Sequence, residues 1–332
     1  MNFITQKITL KNTLINRLKR FEITEKYDTM DRDRKIKSGR RGMVTKGMYV
    51  FVYGTLRWGE RNHPLLAHAE RIAEQACTAG KIFTTCADYP VLQEDTESRT
   101  YGELYRIDHA LLEQLDALEG YEGPASTNNL YERVKQQVYT DKGEFTAFVY
   151  VTGKQTAKIK LIEEGDWLVH TYLQNERLLY FAYGSCMDDL RFKKQQVDQH
   201  FQKVVGRGKL DGYTLRYTIN RLDGGRADIV EEGGLVEGKV YEIAHDAVSY
   251  LYEREGVYAG SYRPAVVQVR LDKGRVVPAL TFIVVHKEKE TAPPSHYIEE
   301  ILRGGRGCCS KAYIKMLENQ YMGFSNVKTK KT

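Results

Sequence analysis

From residue 48 onward, apolar and polar positions fall into two rounds of one pattern. The first opens with Tyr49-Val-Phe-Val-Tyr53-Gly54-Thr55-Leu56-Arg57, an apolar, aromatic and β-branched run that predicts a strand cut off at a Gly-containing turn. From Leu178 the chain reads Leu-Leu-Tyr-Phe-Ala-Tyr183-Gly184-Ser185-Cys186-Met187, again a strand running into Tyr-Gly and a small hydroxyl residue. One Tyr-Gly marks little more than a turn; its return within a longer repeated pattern gives it weight. Downstream lie Gly102-Glu-Leu-Tyr105-Arg-Ile and Gly238-Lys-Val-Tyr241-Glu-Ile, each followed by helical spacing and then Glu-Gly. Gly102 to Glu119 and Gly238 to Glu255 are both 17 residues, and each tyrosine stands 14 residues before its glutamate. Tyr131-Glu-Arg133 and Tyr262-Arg263 come next, then two further strands in each half, including Phe145 to Val151 and Leu280 to Val285. Matching elements in matching order predict a duplicated domain.

The helix before each glutamate follows from spacing. Leu111, Leu112, Leu115 and Leu118 share one face, with Asp108 as N-cap and Gly120 just past the end; Val248, Leu251 and Tyr252 repeat this ahead of Glu255 and Gly256. A glutamate in the last turn faces the negative end of the helix dipole, which predicts a raised pKa. Between loop and helix, Ala87-Asp-Tyr89-Pro90 and Arg226-Ala-Asp228-Ile-Val read as further strands or a crossing loop. After Pro293, Tyr297, Ile298, Ile301 and Leu302, then Tyr313, Ile314 and Leu317, predict two helical pieces either side of Gly304 to Cys309.

Composition divides the chain further. Its 332 residues, 42% hydrophobic, suffice for two ordinary cores. Residues 1 to 47 hold 13 Lys/Arg against five acids, a balance of +8 within a whole-chain charge of +6, so the rest stands at −2. A body near neutrality argues against a nucleic-acid partner, which needs clustered cations on the docking surface. The basic segment reads as a disordered extension, as the product of an upstream start codon ahead of Met48, or as an amphipathic surface helix or transit peptide. The longest apolar run, Val276 to Val285, is a buried strand rather than a membrane span, which needs roughly 18–20 residues. Five cysteines without CxxC spacing or a nearby histidine pair predict no metal site and fit a reduced, cytoplasmic setting, with Cys308-Cys309 an incidental pair in a turn. The domains so predicted are an extension at 1–47, a first domain at 48–170 and a second at 171–325.

A strand ending in Tyr-Gly-Thr or Tyr-Gly-Ser offers backbone N–H groups that the sheet does not consume, and glycine lets a ligand approach the main chain. Glu119 and Glu255 would add a proton carrier to those donors for developing negative charge. No nucleophile recurs: Ser185 is matched by Thr55, neither sits in GxSxG, and no histidine repeats between the halves. This favours a reaction whose nucleophile comes with the substrate.

Tyr53-Gly54-Thr55-Leu56 with Leu-Glu119-Gly120-Tyr resembles the small γ-glutamylcyclotransferase-like, or AIG2-like, domains. Tyr-Phe-Ala-Tyr183-Gly184-Ser185, Ala227-Asp228-Ile229-Val230, Glu255-Gly256-Val257 and Pro294-Ser-His-Tyr297 are similar to motifs of the cyclotransferases proper. The resemblance spans roughly residues 48 to 320 and departs at Cys186, where that family usually has Asn. It implies an α/β (α+β) fold, two domains each with a small mixed barrel-like sheet and flanking helices. It also implies cyclisation of a γ-glutamyl amine or peptide to 5-oxoproline, without metal or organic cofactor. Glu119 and Glu255 would be catalytic; Tyr53, Gly54, Thr55, Leu56 and Tyr131, and Tyr183, Gly184, Ser185, Cys186, Met187 and Tyr262, would bind the small-molecule γ-glutamyl substrate. As strand-end aromatics, Tyr53 and Tyr183 are also natural core residues. The competing reading is a binding module that keeps a pocket for a glutamyl-like carboxylate in one or both domains without chemistry.

Overall fold

The computed structural model describes residues 47–124, 126–153 and 157–328, so the basic extension, up to Lys46, lies outside the described residues. The first half runs β1 (Met48–Val52), β2 (Glu70–Ala79), β3 (Lys81–Thr84), β4 (Pro90–Gln93), β5 (Arg99–Ile107), α1 (His109–Leu118), β6 (Tyr131–Thr140) and β7 (Gly143–Thr152). A short helix, α2 (Trp167–Tyr172), leads to the second half. There follow β8 (Leu178–Ala182), α3 (Asp189–Lys194), β9 (Val204–Asp211), β10 (Thr214–Arg221), β11 (Gly224–Val230), β12 (Leu235–Ile243), α4 (His245–Arg254), β13 (Tyr262–Leu271) and β14 (Val276–Val284). Two helices, α5 (Ser295–Arg306) and α6 (Lys311–Lys328), end the described chain. Among the described residues no helix is long and apolar enough to cross a membrane.

Each half closes a five-stranded barrel, in the order β1-β5-β2-β6-β7 and, from the same starting point, β8-β12-β9-β13-β14. The first strand is antiparallel to its neighbour after the hairpin and parallel to the last: Val52 faces Glu103 and Val50 faces Phe148, while Ala182 faces Lys239 and Tyr180 faces Leu280. A two-stranded hairpin stands beside each barrel, β3-β4 and β10-β11, and accounts for the segments at Tyr89-Pro90 and Arg226–Val230. Shared topology and register are what a duplication leaves behind.

The repeated glycine before Glu103 and Lys239 has a steric cause. A Cβ on Gly102 would stand 2.3 Å from the Val52 carbonyl oxygen, and one on Gly238 would stand 2.3 Å from that of Ala182. Only glycine lets the two strands approach this closely at the end of the strand that carries the Tyr-Gly loop. Phe51 and Phe181 cover the same glycines from inside the barrels, and both are essentially fully buried.

Two expectations change. Helix α5 runs through Gly304 and Gly305 and breaks only at residues 307–310, because a Cβ on Gly304 would meet the Met187 backbone at 2.4 Å: these glycines let the helix lie directly on the Ser185–Met187 turn. The two Tyr-Arg motifs are also not equivalent. Tyr131 and Tyr262 both begin their strands, but Arg133 is two residues on and Arg263 one, so their side chains leave opposite faces. Arg133 pairs with Asp116 on its own domain's helix; Arg263 crosses to the first domain and lies 3.8 Å from Asp166.

Candidate active site

The end of β1, the turn after it and the end of α1 enclose a cavity of about 230 Å³. Gly54, Thr55 and Leu56 line one side. Their three backbone N–H groups have no acceptor among the described residues, since the turn that follows is closed by Arg57 N–H donating to Gly54 O (3.0 Å). Asn62 clamps the turn: its N–H donates to Thr55 O (2.9 Å) and its side-chain amide to Thr55 Oγ1 (3.0 Å), while His63 Nδ1 lies 3.3 Å from Leu56 O. Preorganised donors of this kind suit a developing oxyanion or a carboxylate.

Glu119 lines the cavity as well and caps α1, one residue past its last turn, with its N–H bonded to Leu115 O. Asp108 caps the other end, accepting from Leu111 N–H (2.8 Å). Among the described residues nothing donates a hydrogen bond to the Glu119 carboxylate. Burial raises it from the ordinary 4.5 to about 7. The physical cause is burial of the carboxylate, and its place at the negative end of α1 acts in the same direction. At neutral pH such a group is divided between its two forms, as a proton carrier requires.

The hydroxyls of the four site tyrosines are all taken up by backbone groups. Tyr53 OH donates to Tyr150 O (2.7 Å) and accepts from Leu92 N–H (3.2 Å), and Tyr131 OH donates to Pro90 O (2.9 Å). Their rings wall the cavity while their hydroxyls tie β1 and β6 to neighbouring strands, and burial holds both phenols well above their ordinary range, as neutral donors. The second half repeats the scheme: Tyr183 OH donates to Phe282 O (2.5 Å) and Tyr262 OH to Ala227 O (2.7 Å).

The two cavities nonetheless differ. Around Tyr183, Gly184, Ser185, Cys186, Glu255 and Tyr262 only about 30 Å³ remains. The Cys186 thiol donates to Glu255 Oε1 (3.3 Å), and Arg254, at the position of Leu118, donates from Nε to Cys186 Sγ (3.0 Å) and from its terminus to Ser185 Oγ (3.2 Å). Burial pushes the Cys186 thiol up while the adjacent Arg254 guanidinium pulls it down. Tyr297 on α5 closes the remaining side, its hydroxyl accepting from Ala227 N–H (3.2 Å). Glu255 thus occupies the place of Glu119 but has its own partners.

A family model described as "Gamma-glutamyl cyclotransferase, AIG2-like" matches residues 50–169, and one described as "AIG2-like family" matches residues 235–317. YkqA of Bacillus subtilis (strain 168) is 42% identical over 276 residues, 81% of this chain and 95% of that one. The chain belongs to the γ-glutamylcyclotransferase family. The crystal structure of YkqA superposes on this cyclotransferase-family chain with a TM-score of 0.75, at 41% identity, over 84% of this chain and 98% of that one. A shorter match is the γ-L-glutamyl-butirosin B γ-glutamyl cyclotransferase of Niallia circulans, 37% identical over 102 residues, 31% of this chain and 65% of that protein.

Most residues singled out in the sequence meet at one of the two cavities. Met187 does not: it is fully buried beneath Gly305 and Cys309, 3.9 Å from the Cys309 sulfur, and supports the turn from below. Arg61, Asn62, Leu130 and Tyr150 also line the first cavity, as do Tyr89 and Leu118, which the sequence places only in a strand or loop and on a helix face. For Arg61 and Asn62 the available signal was their position in Arg61-Asn62-His63-Pro64 directly after the loop, which has no counterpart in the second half.

Proposed function

We propose that the first domain of this cyclotransferase-family protein cyclises a γ-glutamyl amine or γ-glutamyl peptide to 5-oxoproline and releases the amine. The observation that carries this reading is the partly buried Glu119, raised to about 7, sharing a 230 Å³ cavity with the three N–H groups of Gly54, Thr55 and Leu56, unpaired among the described residues. The substrate's α-amine is the nucleophile. Glu119 accepts a proton from the α-ammonium, and the freed nitrogen attacks the γ-carbonyl carbon to close a five-membered ring. The loop N–H groups take the oxyanion of the tetrahedral intermediate, Glu119 returns its proton to the leaving nitrogen as the C–N bond breaks, and the ring nitrogen gives up its second proton to the released amine, which leaves as an ammonium beside the neutral lactam. Orientation in the walled cavity removes much of the barrier, roughly 7–11 kcal/mol in favourable intramolecular cases. The name of the Niallia circulans relative supports a γ-glutamyl compound as the substrate class.

For the second domain, the Cys186–Glu255 contact and the 30 Å³ cavity favour the other reading, a site that keeps the fold and the glutamate without turnover. The test is incubation with a panel of γ-glutamyl amines and dipeptides and assay of 5-oxoproline. Release of 5-oxoproline that disappears with Glu119→Gln supports the proposal. Binding of γ-glutamyl ligands without any turnover transfers the binding-module reading to the whole chain.

A further inference from the structure

Arg57 is the last residue of the turn that carries Gly54, Thr55 and Leu56, and it is almost fully buried. Its Nη1 donates to Asp166 Oδ1 at 2.6 Å and its Nε to Glu103 Oε1 at 3.4 Å. Glu103 also accepts from Trp58 N–H (3.0 Å), so two consecutive residues after the loop are bound to one carboxylate on β5. Asp166 is the N-cap of α2, accepting from Leu168 and Val169 N–H at 2.9 and 3.2 Å, and is pinned to β5 where Tyr101 N–H donates to Gly165 O (2.8 Å). Its second oxygen, Oδ2, is buried and without a hydrogen bond among the described residues. The group facing that oxygen belongs to the other barrel: Arg263 Nη1 at 3.8 Å. Arg263 is itself buried, has its Cζ over the Tyr101 ring, 4.0 Å from the centroid, and donates to Gln75 Oε1 at 2.7 Å, both residues of the first domain.

We infer that Arg263 of the second domain is a positioning residue for the first active site, holding Asp166 and, through Arg57, the loop that binds the oxyanion. Arg57 and Arg263 balance Glu103 and Asp166, and a buried carboxylate stripped of one cation is strongly disfavoured unless its surroundings rearrange. Asp166 has no other cation within ion-pair distance than these two arginines among the described residues. Losing Arg263 would leave the Arg57–Asp166 pair to carry an excess negative charge next to donors whose task is to stabilise negative charge. The first domain's site is in this sense completed by the second. This rests on the proposed function for its kinetic consequence, though not for its structural one.

The test uses the full chain with Arg263→Gln and Arg263→Lys, the latter keeping the charge, beside wild type and Glu119→Gln. The expected result for Arg263→Gln is a fall in kcat of roughly tenfold to a hundredfold with KM changed far less, as for a small misplacement of catalytic groups. Arg263→Lys is expected to recover most of that loss. Hydrogen exchange of the Arg57, Trp58 and Asn62 amides is expected to accelerate in Arg263→Gln, while that of α1 stays as in wild type. Unchanged kcat in the folded Arg263→Gln protein, with only a lower melting temperature, overturns the inference and makes Arg263 an interface residue. If wild type turns over no γ-glutamyl compound, the proposed function fails and the exchange measurement alone decides: faster loop exchange sustains the positioning role, unchanged exchange refutes it.

Discussion

The Cys186 thiol lies 3.3 Å from a Glu255 carboxylate oxygen, and the residue at the place of Cys186 beside Glu119 is Leu56, which offers no donor from its side chain. One barrel therefore keeps its glutamate unsatisfied next to an open cavity, and its duplicate satisfies the glutamate and closes the cavity. Leaving a buried carboxylate without a partner is costly, and that cost is what the proposed proton-carrier role of Glu119 accounts for.

Activity should rise with pH through about 7. In the proposed mechanism Glu119 is ionised when it accepts the α-ammonium proton, and burial sets its midpoint near that value, so the acidic limb of kcat/KM is expected to titrate there. A limb near 4.5, the ordinary carboxylate value, would mean that Glu119 is not the group observed.

Stability should show the opposite trend at the same residue. A carboxyl whose pKa is raised on folding is most favourable below its unfolded value of 4.5, and its contribution is lost as pH climbs to about 7. Above pH 7 the ionised form costs about 2–3 kcal/mol, an upper range for a partly exposed group. Glu119→Gln is therefore expected to melt higher than wild type at pH 8, with the gap closing by pH 5. Equal melting temperatures at both pH values would contradict the desolvated carboxylate.

Gly102→Ala and Gly238→Ala should each damage their own barrel. The added Cβ meets a strand carbonyl at 2.3 Å in both cases, and backbone cannot yield as a flexible side chain would. Overpacking of this kind costs about 1–3 kcal/mol or more. Scanning calorimetry of either variant should show a lowered transition; an unshifted one would mean that the strands separate freely there.

Much of this architecture is legible in the sequence because the chain carries its own comparison. Tyr53-Gly54 against Tyr183-Gly184, Gly102 against Gly238 and Glu119 against Glu255 form an alignment of two, and local patterns such as Asp108 to Gly120 suffice to set the helix between them. What the sequence conceals is contact at long range. Arg57 and Asp166 are 109 residues apart, and their pairing exists only once the barrel has closed and α2 has docked on β5. The single-residue offset between Arg133 and Arg263 looks trivial in a string, yet in a strand it selects the opposite face. The burial that shifts Glu119 is likewise hidden, since a helix end can be read from spacing whereas the cavity that Glu119 shares with Tyr53, Tyr131 and Tyr150 forms only when the end of β1, β6 and β7 come together.

The most direct test compares Glu119→Gln with Glu255→Gln in the full chain, on a γ-glutamyl compound from which wild type releases 5-oxoproline. The amide fills the same space but carries no proton, and general acid–base catalysis contributes ~10²–10⁴-fold. Glu119→Gln is expected to lose turnover by at least that range with binding nearly intact, while Glu255→Gln retains it. Wild-type turnover in Glu119→Gln, or its loss in Glu255→Gln alone, would contradict the assignment of the chemistry to the first domain.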